Sequence, residues 1–141
     1  MFLKKGSPLN IEEGVIMDNR KIFLTKSFTF DSAHNLTEYH GRCENLHGHT
    51  YKLEVTVTGP VSDEGMVVDF HDLKTIVDKN IIQKLDHQYL NEILPIRTTC
   101  ENVSLWIWKE LEPYIELLNC KLHKIAFFET PDSKVEIIRE K

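Results

Sequence analysis

The sequence predicts a single α+β domain, an antiparallel four-stranded sheet with two helices on one face, and three observations predict it. Apolar residues alternate with polar ones in two stretches of the first half, recur at helical spacing in two stretches of the middle, and alternate again near the end. The order is therefore strand, strand, helix, helix, strand, strand, and helices laid over one face of an antiparallel sheet are its simplest packing. A chain of 141 residues holds one domain with a real core and is too short for two.

Residues 1–20 mix charge with Gly6, Pro8 and Gly14 without a period, so they read as an N-terminal extension, partly disordered or packed on a neighbour, ahead of a single domain over 21–141. In KSFTFDSAH, Phe28, Phe30, Ser32 and His34 share one parity, and Leu53, Val55 and Val57 alternate with polar residues in YKLEVTVTG; these are the first two strands. Gly59, Pro60 and the run from Ser62 to Gly65 supply a turn. Leu73, Ile76, Val77, Ile81 and Leu85 predict one amphipathic helix, and Val103, Ile107, Leu111, Tyr114 and Leu118 a second. Thr98, three residues before Glu101, predicts a capping box opening that second helix, with Pro113 at a kink or near its last turn. KLHKIAFFET and KVEIIRE, around Pro131 and Asp132, read as a closing hairpin. Ala126 and Phe128 fall on the parity opposite Ile125 and Phe127, so the sheet is expected to be apolar on both faces and to pack against other subunits.

Ordinary hydrophobic and charged fractions describe a soluble globular protein, and a formal net charge of -5 argues against a nucleic-acid or anionic-membrane surface as the main partner. A small-molecule ligand is expected instead. Three cysteines at irregular spacing argue for a reducing compartment, with the cytoplasm as the expectation. No apolar stretch approaches the roughly 18 residues that a membrane span requires, and MFLKKGSPLNIEEG shows no leader pattern.

The chemistry concentrates in CENLHGH, with His34 upstream. Alternate residues of an extended strand share a face, each rising roughly 3.3 Å, so His47 and His49 can converge on one ion, with Gly48 leaving it room. Three neutral imidazoles suit Zn²⁺, and a three-ligand site keeps one position for water or substrate, as catalytic sites do. Cys43 is either a fourth ligand closing a structural site or an off-metal base whose pKa nearby positive charge lowers; spacing does not decide. A lone HxH pair is often mere polar loop, and it is His34 and Cys43 that favour a zinc site. His40, His71 and His123 read as surface or helix-start histidines, and Cys100 and Cys120 as packing residues.

FTFDSAH, CENLHGHTYKLEV, MVVDF, LDHQYLN, TTCEN and FFET, in that order, resemble the 6-pyruvoyltetrahydropterin synthase / 6-carboxytetrahydropterin synthase family from Lys26 to Arg139. The resemblance implies the tunnelling fold, in which subunits join their sheets into a barrel, commonly as a homohexamer of two stacked trimers with sites between subunits. It implies zinc on His34, His47 and His49, Cys43 as the off-metal base, and Asp86 and His87 as the acid and imidazole assisting the thiol from a neighbouring subunit. Glu129 matches the carboxylate that grips the pterin ring, and Thr99 and Glu101 fall in a second pterin-contacting segment.

The implied substrate is 7,8-dihydroneopterin triphosphate. The carboxy branch, giving 6-carboxy-5,6,7,8-tetrahydropterin and acetaldehyde for 7-deazaguanine and queuosine synthesis, is the expected activity; the pyruvoyl branch is the alternative. A zinc-stabilised binding module without chemistry is the competitor from another class. The chain departs from simpler relatives in its N-terminal extension, in Glu44 beside the cysteine, and in Cys100 where a small hydroxyl residue is common.

Overall fold

The computed structural model describes residues 8–37 and 45–140, so the loop bearing His40, Cys43 and Glu44 lies outside the described residues. Its centre is a pair of twelve-residue strands, β3 (Phe23–His34) and β4 (His47–Thr58), in unbroken antiparallel register from Phe23 opposite Thr58 to His34 opposite His47. On the other side of β4 lies β6 (Lys121–Thr130), and beyond it β7 (Ser133–Ile138), both antiparallel. A fifth strand, β5 (Gln88–Tyr89), runs parallel along the free edge of β3 at Ser32 and Ala33, where the sequence predicts four strands and a plain linker. Two residues carry no alternation to detect, and a backbone bond from the His87 N–H to the Asp31 carbonyl (2.6 Å) draws them onto that edge. Ahead of the sheet, β1 (Ile11–Glu12) and β2 (Val15–Ile16) form a separate hairpin in the predicted extension. Its turn, Glu13-Gly14, has positive φ at both residues, the geometry that matches strand twist in a two-residue hairpin.

The first helical stretch is α1 (Phe70–Val77), a π turn (Asp78–Ile82) and α2 (Gln83–Leu85). Its buried residues Leu73, Val77, Ile81 and Leu85 recur every four positions. On an ideal α-helix such a series drifts by about 40° per step; the wider π turn winds less per residue and keeps the stripe on the core. After α3 (Leu90–Ile93), α4 (Cys100–Glu116) buries Val103, Ile107, Leu111 and Ile115 against β6 and β7. Tyr114, predicted on that stripe, is exposed, and Pro113 sits in the last turn. The N-cap is Thr99, not Thr98: the Thr99 hydroxyl accepts the Asn102 N–H at 3.1 Å. Thr98 is buried instead, and its carbonyl has another use.

The core fills the space between the helices and one sheet face, where Phe28, Phe30, Tyr51, Leu53, Val55, Ile125 and Phe127 lie. Truncating one fully buried side chain, as in Leu111→Ala, costs about 2–5 kcal/mol. The opposite face corrects the expectation of apolar surface on both sides. There Thr25 bonds Thr56, Lys124 pairs with Glu136, and Lys52 and Lys134 cover the ring of Phe128.

Candidate metal centre and active site

His34 closes β3 and His47 opens β4 directly opposite it, while His49 faces Ser32 two pairs further in. Opposed residues of an antiparallel pair share a face, so strand register alone gathers three imidazoles at one end of the core face. Their ring centroids are 4.6, 4.7 and 5.1 Å apart. Glu129, near the end of β6, brings a carboxylate to the same point: one donor atom from each of His34, His47, His49 and Glu129 lies within 4.8 Å of the others. Gly48 faces away from the imidazoles, where an added Cβ would meet only the Ser32 carbonyl at 3.7 Å. Its small size therefore leaves room on the far face rather than for an ion.

Carbonyls set the imidazole tautomers. His34 Nδ1 lies 2.8 Å from the Thr98 carbonyl and His47 Nδ1 2.8 Å from the Asn45 carbonyl. A carbonyl only accepts, so Nδ1–H donates in each ring and Nε2 carries the free lone pair. Thr98 is itself held: its hydroxyl donates to Asn91 Oδ1 (3.0 Å), which also accepts the Asn35 N–H (3.0 Å), while the Asn91 amide donates to the Asn35 carbonyl (2.8 Å). Thr98, Asn91, Asn35 and Asn45 are orienting residues that the sequence reasoning missed. Asn91 ends LDHQYLN, Thr98 opens TTCEN and Asn45 lies within CENLHGH, so the motifs pointed to three of the four without showing this role.

This donor set fits Zn²⁺. Nε2 of His34 and of His49 are buried without a hydrogen-bond partner, an arrangement that costs about 1–3 kcal/mol per group when nothing else binds there. Burial also depresses the His49 pKa, outweighing the opposing pull of the Glu129 carboxylate, and so favours the neutral, ligating form. Tyr51 lies beneath, stacked on Phe127 at 5.0 Å and 4°, its hydroxyl pKa raised by burial first and by Glu129 second.

The second cluster lies on the same strand but on its other side. Alternation turns the Asp31 side chain away from Ser32 and His34, and Asp31, Asp86 and His87 bring donor atoms within 4.8 Å of one another. The chain leaves α2 at Leu85 and turns at His87, whose φ is +58°, a left-handed conformation rare outside glycine. The turn closes a pair of backbone contacts: Asp31 N–H donates to Asp86 Oδ1 at 2.9 Å, and His87 N–H returns to the Asp31 carbonyl. His87 Nδ1 then lies 3.0 Å from Asp86 Oδ2, and the Thr50 hydroxyl donates to Asp31 Oδ1 at 2.5 Å. The Asp31 N–H, and after it His87, holds the Asp86 carboxyl below its usual pKa. An open groove of about 530 Å³ is lined by Asp31, Thr50 and His87, by Ala33 and Gly48, and by His49 of the metal cluster.

The structure thus unites the three predicted metal ligands with Glu129 and pairs Asp86 with His87, but keeps these as two clusters within one chain. Cys43 lies outside the described residues. Thr99 and Glu101 sit at the start of α4, Thr99 as its cap and Glu101 exposed in the first turn. The half-buried Cys100 thiol donates to the Phe127 carbonyl (3.5 Å), and burial, then Glu129 and Glu101, push its pKa up to about 11.

A family model described as 6-pyruvoyl tetrahydropterin synthase matches residues 23–140. The chain is 36% identical over 138 residues to the 6-carboxy-5,6,7,8-tetrahydropterin synthase of Haemophilus influenzae, covering 80% of this chain and 96% of that one. It is 33% identical over 132 residues to the 6-pyruvoyl tetrahydrobiopterin synthase of Dictyostelium discoideum, covering 83% and 96%. In fold it is similar to the 6-pyruvoyl tetrahydropterin synthase structure of Caenorhabditis elegans, with a TM-score of 0.73 at 24% identity over 86% of this chain and 97% of that one.

Proposed function

The chain belongs to the 6-pyruvoyl tetrahydropterin synthase family, and we propose that it is a zinc-dependent 6-carboxy-5,6,7,8-tetrahydropterin synthase of the cytoplasm. Its substrate is 7,8-dihydroneopterin triphosphate, and its products are 6-carboxytetrahydropterin, acetaldehyde and triphosphate, the first feeding 7-deazaguanine and queuosine synthesis. The observation that carries this reading is the convergence of three imidazoles, two with Nδ1 anchored to a carbonyl, on one point of a domain similar to the Haemophilus influenzae enzyme. Among the described residues no helix is long and apolar enough to cross a membrane.

His34, His47 and His49 hold the zinc, which when bound supplies a Lewis acid that lowers the pKa of the substrate's side-chain hydroxyls. Cys43 moves protons along that side chain. Asp86 orients His87 through its contact at Nδ1, and an imidazole held beside a thiol can take up the thiol's proton. Glu129 grips the pterin ring, whose adjacent N–H groups match a carboxylate's two oxygens, with Thr99 and Glu101 flanking it. The separation of Asp86 and His87 from the histidine cluster supports a site completed by a neighbouring subunit, as in a homohexamer of two trimers.

The test is mass spectrometry of the products formed by the zinc-loaded protein from 7,8-dihydroneopterin triphosphate. 6-Carboxytetrahydropterin with acetaldehyde is the expected result. A 6-pyruvoyl product with the side chain intact would establish the alternative that the Dictyostelium relative's name favours. No turnover with zinc bound would favour the binding module.

A further inference from the structure

We infer that Glu129 is the fourth ligand of the metal in the substrate-free protein, so that the resting site is a closed His₃-carboxylate site rather than an open three-histidine one. This rests on the zinc reading above and deepens it. Two ligands of one tetrahedral Zn²⁺, each about 2.0–2.2 Å from the ion, are roughly 3.4 Å apart. Glu129 Oε1 lies 3.5 Å from His34 Nε2, at that separation, and 2.9 Å from His49 Nε2, about half an ångström inside it.

Direction supports the same conclusion as distance. An ion pair between Glu129 and a protonated His49 would point an Nε2–H at the carboxylate, yet neither His34 Nε2 nor His49 Nε2 has a hydrogen-bond partner. Contact at hydrogen-bond length without hydrogen-bond direction is what donors aimed at a common third point produce. The carboxylate also has no other anchor: among the described residues no Lys or Arg pairs with Glu129, whose ion-pair partners are these two imidazoles alone.

The consequence is an exchange. A carboxylate whose oxygens grip a pterin ring cannot also fill the fourth metal position, so the coordination shell opens only when the ring draws Glu129 away. The metal is then offered to hydroxyls of a pterin already seated, and is withheld from other oxygen ligands meanwhile.

The test uses zinc alone on the full chain, with no turnover measured. Competition against a chromophoric zinc chelator is expected to show Glu129→Gln binding at least about tenfold more weakly than the wild type, with the metal-free variant unfolding at an unchanged temperature. A zinc-loaded wild-type crystal is expected to place a Glu129 oxygen about 2.0–2.2 Å from the ion, and that measurement decides the matter even if the variant does not fold. Equal affinities, or a water in the fourth position with Glu129 withdrawn, would overturn the inference and leave the zinc reading intact. A wild type that takes up no zinc would overturn both.

Discussion

One strand carries two clusters of ionisable side chains, and they differ in burial, backbone and completeness. On the core face of β3, His34 meets His47, His49 and Glu129 through regular strand register, and carbonyls from outside the sheet fix two of the tautomers. On the other side, Asp31 meets Asp86 and His87 through a left-handed turn and a two-residue strand, and the His87 side chain is 77% exposed. The first cluster needs nothing but an ion. The second pairs a carboxylate with an imidazole that faces an open groove, and the thiol it is proposed to assist lies outside the described residues. The folded chain thus gathers the metal ligands by itself, whereas the proposed proton transfer calls on Cys43 and, in the proposed assembly, on a neighbouring subunit.

Removing a ligand is the largest way to break this contrast. His47→Ala is expected to lower zinc affinity by more than about 100-fold, beyond what loss of an orienting neighbour costs, and to take turnover to background while the fold survives. Chelator competition and thermal unfolding measured together check it. Unfolding of the variant or of the metal-free protein would make the zinc structural.

The assembly half of the contrast has a sharper test. Cys43→Ala and His87→Ala should each be inactive with zinc still bound. If sites form between subunits of a symmetric oligomer, mixed assemblies refolded from equal amounts of the two variants should regain about a quarter of wild-type activity, since each intact residue comes from half of the chains. Mixtures as inactive as the separate variants would put Cys43 and His87 in the same chain's site.

How much of this was legible in the sequence follows from which forces set each part. The convergence of His47 and His49 was readable because strand alternation is periodic, and Glu129 shared the buried face because it shared parity with Ile125 and Phe127. That Glu129 would reach the histidines was not readable, since which strand neighbours β4 on that side is a matter of topology. The fifth strand and the role of Asp31 rest on backbone hydrogen bonds, which leave no side-chain pattern. The cap shifted by one residue because Thr98 and Thr99 offer the same hydroxyl, and only the need of His34 for a carbonyl sends Thr98 inward. Ala126 and Phe128 misled because two apolar residues do not make a face among Lys52, Lys124, Lys134 and Glu136.

A smaller effect separates structure from substrate binding at the start of α4. Thr99→Ala removes the cap and is expected to cost about 1 kcal/mol of stability in urea denaturation, with zinc affinity unchanged. A rise in KM beyond that loss would give the Thr99 hydroxyl a pterin contact as well; an unchanged KM would leave it a cap alone.

The smallest effect is the pH dependence that Cys100 adds beside the metal site. Burial, then Glu129 and Glu101, raise the thiol from 9.0 to about 11 in the folded chain. Between those values the native state keeps a proton that the unfolded state has lost, so stability falls as pH rises there. The contribution is fully present below pH 9.0 and is lost as pH climbs through about 11. Cys100→Ser, which keeps a small hydrogen-bonding group but does not titrate in this range, should therefore show a shallower decline of melting temperature than the wild type over that window, at equal metal content. Lysines and tyrosines titrate there too, but equally in both proteins, so the difference between the curves isolates the thiol. Parallel curves would mean that Cys100 is far more open to water than its packing beside Phe127 and Glu129 indicates. The same proton argument makes Cys100 slow toward iodoacetamide at neutral pH, since the thiolate is the nucleophile; Cys120 is buried and its thiol is likewise pushed up by burial, which leaves Cys43 as the thiol whose alkylation should track loss of turnover.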